Sequence, residues 1–177
     1  MARPRVLEPV KLFMSLFTSD AELMGVVLRR LAERFGPVGF LSERLPFDHT
    51  NYYREEFGEE LFRKIVAFER LIRPDTIAGV KLFTNSLEDE FTSPKGRKIN
   101  IDPGYLVLDK VVLLSCKNFS HRLYLGEGVF GEVTLLYKRG AGFAPLDWTY
   151  PDYQSSGVLS IFEDMRMRYG KQVELND

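Results

Sequence analysis

Residues 11–37 read KLFMSLFTSDAELMGVVLRRLAERFGP, an apolar run followed by an amphipathic one. Residues 11–19 are short and apolar, which predicts a buried first strand. Ser19 and Glu22 match the S-x-x-E capping box that begins a helix, and apolar residues recur every four positions from Leu23 to Phe35. The Gly-Pro pair that closes the stretch ends the helix. This stretch therefore predicts a strand followed by a helix.

The segments that follow extend this pattern. In chain order, they predict a strand from Val38 to Phe47, a strand from Arg63 to Ile72, a helix that starts at Pro74, and a short strand from Arg97 to Ile101 that runs into an Asp102-Pro103-Gly104 turn. The order strand, helix, strand, strand, helix, strand is typical of the split β-α-β units of a ferredoxin-like sheet.

The C-terminal part completes the predicted fold. Residues Leu106 to Cys116 favour a helix after the Pro-Gly turn, although the β-branched Val111 and Val112 would also suit a strand. A hairpin follows, and the last helix begins near Ser156. The predicted fold class is α+β, a ferredoxin-like split β-α-β antiparallel sheet extended by a C-terminal hairpin and helix.

Length and composition limit the classes of function. The 177 residues predict a single domain over 1–177, and 24 Lys and Arg against 25 Asp and Glu leave a net charge of −1, so binding to nucleic acid is not expected. One cysteine excludes an internal disulfide, and two histidines argue against a zinc site, so no metal site is predicted. We expect a cytoplasmic protein without a membrane span, and the oligomeric state stays open.

A glycine pattern in the predicted hairpin resembles a phosphate-binding loop. Gly126, Gly128 and Gly131 have the spacing G-x-G-x-x-G. The pattern lacks the helix that follows a dinucleotide-binding loop, and no G-x-x-x-x-G-K-[ST] motif occurs in the chain. A tight hairpin turn is the simpler interpretation.

Polar and aromatic residues recur together at the predicted strand ends, where ligand pockets often form. Asp102, before Pro-Gly, either shapes the turn or binds a ligand hydroxyl, and the segment Trp148 to Tyr153 either packs on the sheet or lines a site. Arg122 or Lys117 is the candidate for binding an anionic group. The predicted ligand-binding residues are Asp48, Asn100, Asp102, Tyr105, His121, Arg122, Glu132, Tyr150 and Asp152.

Seven segments carry a resemblance to a known family. They are Pro9 to Phe13, Pro46 to Asp48, Lys81 to Asn85, Asn100 to Leu106, Ser120 to Gly126, Glu132 to Leu135 and Trp148 to Tyr153. The sequence resembles an uncharacterised prokaryotic family, a domain of unknown function whose members are sometimes labelled GTP-binding proteins. The resemblance implies no established activity, catalytic residue or cofactor, and no GTP-binding motif is found in this chain.

Three functional hypotheses follow. The first is a cytoplasmic domain that binds a small polar or anionic ligand, with a nucleotide among the candidates. The second is an enzyme in which Asp102 and another carboxylate hold Mg²⁺ for phosphoryl or nucleotidyl transfer. The third is a protein interaction module, favoured by the abundance of Phe and Tyr.

Overall fold

The computed structural model describes Arg3 and residues 8–46, 61–94 and 96–174. The elements are, in chain order, β1 (Val10–Thr18), α1 (Ala21–Phe35), β2 (Val38–Leu41), β3 (Leu45–Pro46), β4 (Phe62–Ile72), a 3₁₀ turn (Pro74–Thr76), α2 (Ile77–Glu90), β5 (Asn100–Val107), β6 (Lys110–Ser115), β7 (Leu123–Gly126), β8 (Val129–Lys138), β9 (Gly142–Pro145), a second 3₁₀ turn (Pro151–Gln154) and α3 (Ser156–Glu174).

Nine strands within the described residues form one antiparallel sheet. Their order is β2-β4-β1-β5-β6-β8-β7, with β3 beside β4 and β9 beside β8. In the first half of the chain, α1 and α2 each connect two strands that have a third strand between them. The α+β class is confirmed, whereas the ferredoxin-like detail stays a prediction.

Each face of the sheet carries its own hydrophobic cluster. Successive side chains of a strand point to opposite faces, so Leu12 and Leu16 of β1 pack with α1 and α2, while Phe13 packs with α3. The rings of Phe13 and Phe162 meet edge to face at 5.0 Å between centroids. The sheet is therefore the middle of three layers, and among the described helices α3 covers the second face.

The first helix begins and ends at identifiable residues. The N-cap is Asp20, whose side chain accepts a hydrogen bond from the N–H of Leu23 at 2.9 Å. The prediction of Ser19 as the capping residue is therefore wrong by one position. Gly36 ends the helix with φ of 95°, a conformation that favours glycine, and its N–H donates to the Ala32 carbonyl.

The predicted strand from Val38 to Phe47 is two strands in the structure, β2 and β3, with Phe47 outside the described residues. The interruption begins at Ser42, whose hydroxyl accepts a hydrogen bond from the N–H of Ile65 at 2.9 Å. The Ser42 side chain thus takes the place of a backbone carbonyl in the hydrogen bonding between the two strands.

The Asp102-Pro103-Gly104 segment is not a turn. It lies inside β5, where Pro103 is opposite Met14 of β1. Residues two apart in a strand direct their backbone N–H and C=O groups to the same side. The N–H and C=O of Ile101 bond to side chains of α2, so they point away from β1. The nitrogen of Pro103, which carries no hydrogen, therefore also points away from β1. The strand β6 lies on that side but pairs with β5 only from Gly104 onward, so no sheet hydrogen bond is lost at Pro103.

Residues 106–116 form a hairpin, so the helix predicted there is wrong. The strand β5 continues to Val107, and β6 begins at Lys110 after a two-residue connection. Val111 and Val112 are buried in β6 between β5 and β8. Pro103 and Gly104 lie within β5, so they do not form the turn from which a helix was expected. The β-branched Val111 and Val112 correctly indicated a strand.

The predicted hairpin and last helix agree with the structure. The hairpin of β7 and β8 turns at Gly126, Glu127 and Gly128, which all have positive φ. The last helix begins at Ser156, as expected. Among the described residues, no helix is long and apolar enough to cross a membrane.

Gly104 offers a test of how closely β1 and β6 pack around β5. A Cβ atom there would lie 2.4 Å from the carbonyl oxygen of Val112 and 2.6 Å from Cζ of Phe13. We expect Gly104→Ala to lower the free energy of unfolding by about 1–3 kcal/mol, because neither neighbour can move without disturbing the sheet. Chemical denaturation measures this change.

Gly79, in the exposed interior of α2, is the matched control. No atom lies within 4 Å of a Cβ built there. Gly79→Ala should raise the stability by about 0.5–1 kcal/mol through helix propensity. Equal effects of the two substitutions would contradict the close packing of Gly104.

Candidate functional site

The sheet divides between β5 and β6. The two strands pair from Gly104 to Val107, so residues 100–103 have β1 on one side and no strand of the described chain on the other. Helix α2 takes the place of the missing strand there. Nζ of Lys81 donates to the Ile101 carbonyl at 3.3 Å, and the carboxylate of Glu88 accepts the Ile101 N–H.

A cavity of about 620 Å³ lies at this division. Its walls come from the first half of β5, the end of β6, helix α2 and the turn before α3. Apolar side chains such as Phe17 and Leu113 contribute part of the lining, and charged side chains contribute much of the rest. A pocket of this size, with apolar walls and convergent polar groups, is typical of a ligand site.

The cavity brings together six of the nine predicted residues. They are Asn100, Asp102, Arg122, Glu132, Tyr150 and Asp152. Tyr105 does not line it and packs instead against the cluster that contains α1 and α2. His121 also lies outside the lining but bonds to Glu132, and Asp48 lies outside the described residues.

Asp102 is held by a chain of polar contacts along β5. Arg97 donates to Oδ1 of Asn100 at 2.9 Å, and Nδ2 of Asn100 donates to Oδ2 of Asp102 at 2.7 Å. The second oxygen of Asp102 is 3.6 Å from Nζ of Lys81. The Asp102 side chain is 41% exposed, so these contacts orient a carboxylate that still faces the cavity.

Arg122 is engaged on several sides. Its guanidinium donates to Glu132 at 2.7 Å, to the Ser115 hydroxyl at 3.1 Å, to the Lys117 carbonyl at 2.8 Å and to the Tyr150 hydroxyl at 3.3 Å. These bonds use four of its five N–H groups. Arg122 thus ties three segments of the wall together, and little of it is left to bind an anion.

His121 lies behind Glu132, outside the residues that line the cavity. Its Nε2 lies 2.8 Å from the Glu132 carboxylate, and its ring stacks on Trp148 with centroids 5.1 Å apart and planes 8° apart. The Trp148 indole N–H donates to the Val133 carbonyl at 2.8 Å. The segment from Trp148 therefore packs on β8, which supports the structural interpretation of these aromatic residues.

Several cavity residues were missed by the sequence interpretation. Lys81, Asn85 and Glu88 lie four and three residues apart, so they share one face of α2. That spacing is the signal that could have identified them. Arg63 of β4 was also missed, and it forms a buried ion pair with Asp152.

Burial changes the titration of Glu88. Loss of solvent raises its pKa from 4.5 to about 7, although Lys81 and the Ile101 N–H favour the charged form. The neighbouring Asp102 raises this pKa further, and Arg97 lowers it. At neutral pH the Glu88 carboxyl is therefore close to its midpoint, unlike an ordinary carboxylate.

In the part of the chain that the structure describes, no three His, Cys, Asp or Glu side chains are grouped so as to hold a metal ion. The magnesium-dependent transfer hypothesis stays a prediction without structural support.

Residues 8–169 match the model of a family described as Domain of unknown function (DUF4416). The chain belongs to this family. The match covers nearly the whole sequence, as the resemblance at the seven segments implied. No curated protein and no solved structure matches the chain. The family description names no activity or ligand, so the geometry of the cavity carries any functional argument.

Glu88 gives the fold a measurable pH dependence. Because its pKa is raised on folding, the stability that it contributes is present below about pH 4.5 and is lost as the pH rises through about 7. Relative to Glu88→Gln, the wild-type protein should lose up to about 3 kcal/mol over that range. Urea denaturation at a series of pH values measures the difference.

Glu90→Gln is the control for this prediction. Glu90 lies at the exposed end of the same helix and pairs with Arg30 at the surface. The substitution removes only an exposed ion pair and should change the stability by no more than about 1 kcal/mol. If the Glu88→Gln and wild-type curves run parallel, the proposed titration of Glu88 is wrong.

Proposed function

We propose that this domain binds a small polar ligand with an anionic group in the cavity between β5 and β6. The observation that carries the proposal is the burial of charged side chains around an open space. Lys81, Glu88 and Glu132 are each no more than 6% exposed, and all three line the cavity.

Burying charges in this way is costly for a fold. Ionised groups lose their hydration, and pairing restores only part of the free energy. A hydrophobic core of the same volume would serve stability equally well or better. Lys81 and Glu88 satisfy the backbone of Ile101, and the further cost of burying charge around an open space supports a role in binding as well.

The balance of charge favours an anionic ligand. Five cationic side chains line the cavity, namely Arg63, Lys81, Arg97, Lys117 and Arg122, against five carboxylates, namely Glu88, Asp89, Asp102, Glu132 and Asp152. Burial raises the pKa of Glu88 to about 7, and where this carboxyl is neutral the lining has five positive charges against four negative ones. Nζ of Lys81 is 3.6 Å from Asp102, beyond hydrogen-bond distance, and can approach a ligand oxygen.

The remaining walls suit a ligand with a ring. Tyr150 is 52% exposed at the cavity, and Pro151 lies beside it. An aromatic face with a polar end can stack on a base or sugar ring, while Asp102 can accept a hydrogen bond from a hydroxyl. These features support nucleotides as one class of ligand to be tested first.

A thermal-shift screen of nucleotides and phosphorylated or carboxylated metabolites tests the proposal. A true ligand at 100 times its Kd should stabilise the wild-type protein by about 2.7 kcal/mol. We expect Lys81→Met and Asp102→Ala to weaken its binding at least about tenfold, as measured by calorimetry.

Lys138→Met is the control, because Lys138 is an exposed residue at the end of β8. It should leave the affinity unchanged. A screen without any stabilising compound would contradict the proposal, as would a ligand that binds both cavity variants as tightly as the wild-type protein.

A further inference from the structure

A second cavity, of about 600 Å³, lies between α3 and the β2 and β4 side of the sheet. It shares no lining residue with the cavity between β5 and β6. Its apolar walls include Phe40, Ala67 and Met165. Lys11 from the start of β1 also lines it and is only 5% exposed.

Lys11 occupies an irregular part of the sheet. Between the pairs Lys11 with Leu71 and Phe13 with Ala67, β4 contains two extra residues. Nζ of Lys11 donates to the carbonyls of Phe68 at 2.9 Å and Glu69 at 3.3 Å in this bulge. These two bonds use two of the three N–H groups of the ammonium and hold Nζ in a fixed position at the bulge.

Nζ of Lys11 bonds to neutral oxygens, and Glu69 is the carboxylate that acts on its charge. Its hydrogen bonds go to the carbonyl oxygens of Phe68 and Glu69, and among the described residues no carboxylate lies within ion-pair distance of Nζ. Buried ammonium groups are normally paired, because an unpaired one is strongly disfavoured. Burial accordingly lowers the pKa of Lys11 to about 8, although Glu69 raises it, so most molecules still carry the charge at pH 7.

We propose that this second cavity is a binding site for a small organic carboxylate with an apolar body, whose carboxylate pairs with Nζ of Lys11. The geometry supplies both halves of that ligand. The ammonium, which the two carbonyl oxygens of the bulge hold in place, receives the anion with its third donor, and the walls around Phe40, Ala67 and Met165 receive the apolar part. Each buried CH₂ group adds about 0.8 kcal/mol to such binding.

The other charges of this cavity agree with an anion. Arg168 pairs with Asp164 at 2.9 Å, and Lys171 also lines the opening on α3. Glu69 of β4 is the remaining carboxylate of the lining. With Lys11, the lining thus has three cationic side chains against two anionic ones.

Calorimetry with hexanoate tests this inference. Hexanoate should bind the wild-type protein at pH 7 more tightly than acetate, which lacks the apolar chain. We expect Lys11→Met to weaken the binding at least tenfold, Lys11→Arg to weaken it less, and Lys138→Met to leave it unchanged. The absence of hexanoate binding, or equal binding by the wild-type protein and Lys11→Met, would overturn the inference.

Two measurements on the wild-type protein keep the test decisive if Lys11→Met does not fold. Hexanoate should slow the acetylation of Lys11 in peptide mapping without slowing that of Lys138. Its affinity should fall as the pH rises above about 8, where the Lys11 ammonium loses its proton. An unprotected Lys11, a flat pH profile, or binding of inorganic phosphate in preference to hexanoate would contradict the assignment.

This outcome is independent of the cavity between β5 and β6. Lys81 lines the first cavity and not the second, so Lys81→Met should leave hexanoate binding intact. Lys11→Met should likewise leave ligands of the first cavity bound. Either site can therefore fail its test while the other passes.

Discussion

The backbone of Ile101 imposes the constraint on which the candidate site depends. A strand inside a sheet needs a partner on each side, and an unsatisfied buried backbone group costs about 1–3 kcal/mol. At Ile101 the second partner is helix α2, through Lys81 and Glu88. The two side chains complete the strand and keep β6 at a distance. The same contacts therefore set the position of α2 and preserve the space between the strands.

Much of the fold could be predicted from local pattern. In residues 11–37, a short apolar run predicts the strand and an apolar period of four residues predicts the helix. Both patterns depend only on residues that are close in sequence. Pro103 and Gly104 misled the prediction because their role is set by distant partners. The proline is tolerated where β6 has not begun to pair, and the glycine is required where Phe13 and Val112 approach.

The candidate site was predictable in part for a similar reason. Asn100, Asp102 and Asp152 flank turn-like signals, which can be recognised along the chain. Lys81 and Glu88 lie within an amphipathic helix, where charged residues usually face solvent. Both are instead buried, because α2 lies against β5 where β5 and β6 are not paired. Only knowledge of the strand order shows that this polar face of α2 points inward.

The position of the only cysteine has a practical consequence for spectroscopy. Cys116 is exposed and lines the cavity between β5 and β6, with its Sγ 3.2 Å from Nδ2 of Asn85. A thiol-reactive fluorophore would therefore attach at one position without any engineering of the chain. Its emission would respond to changes in polarity at the cavity wall, so an optical reporter of occupancy is already built into the native sequence.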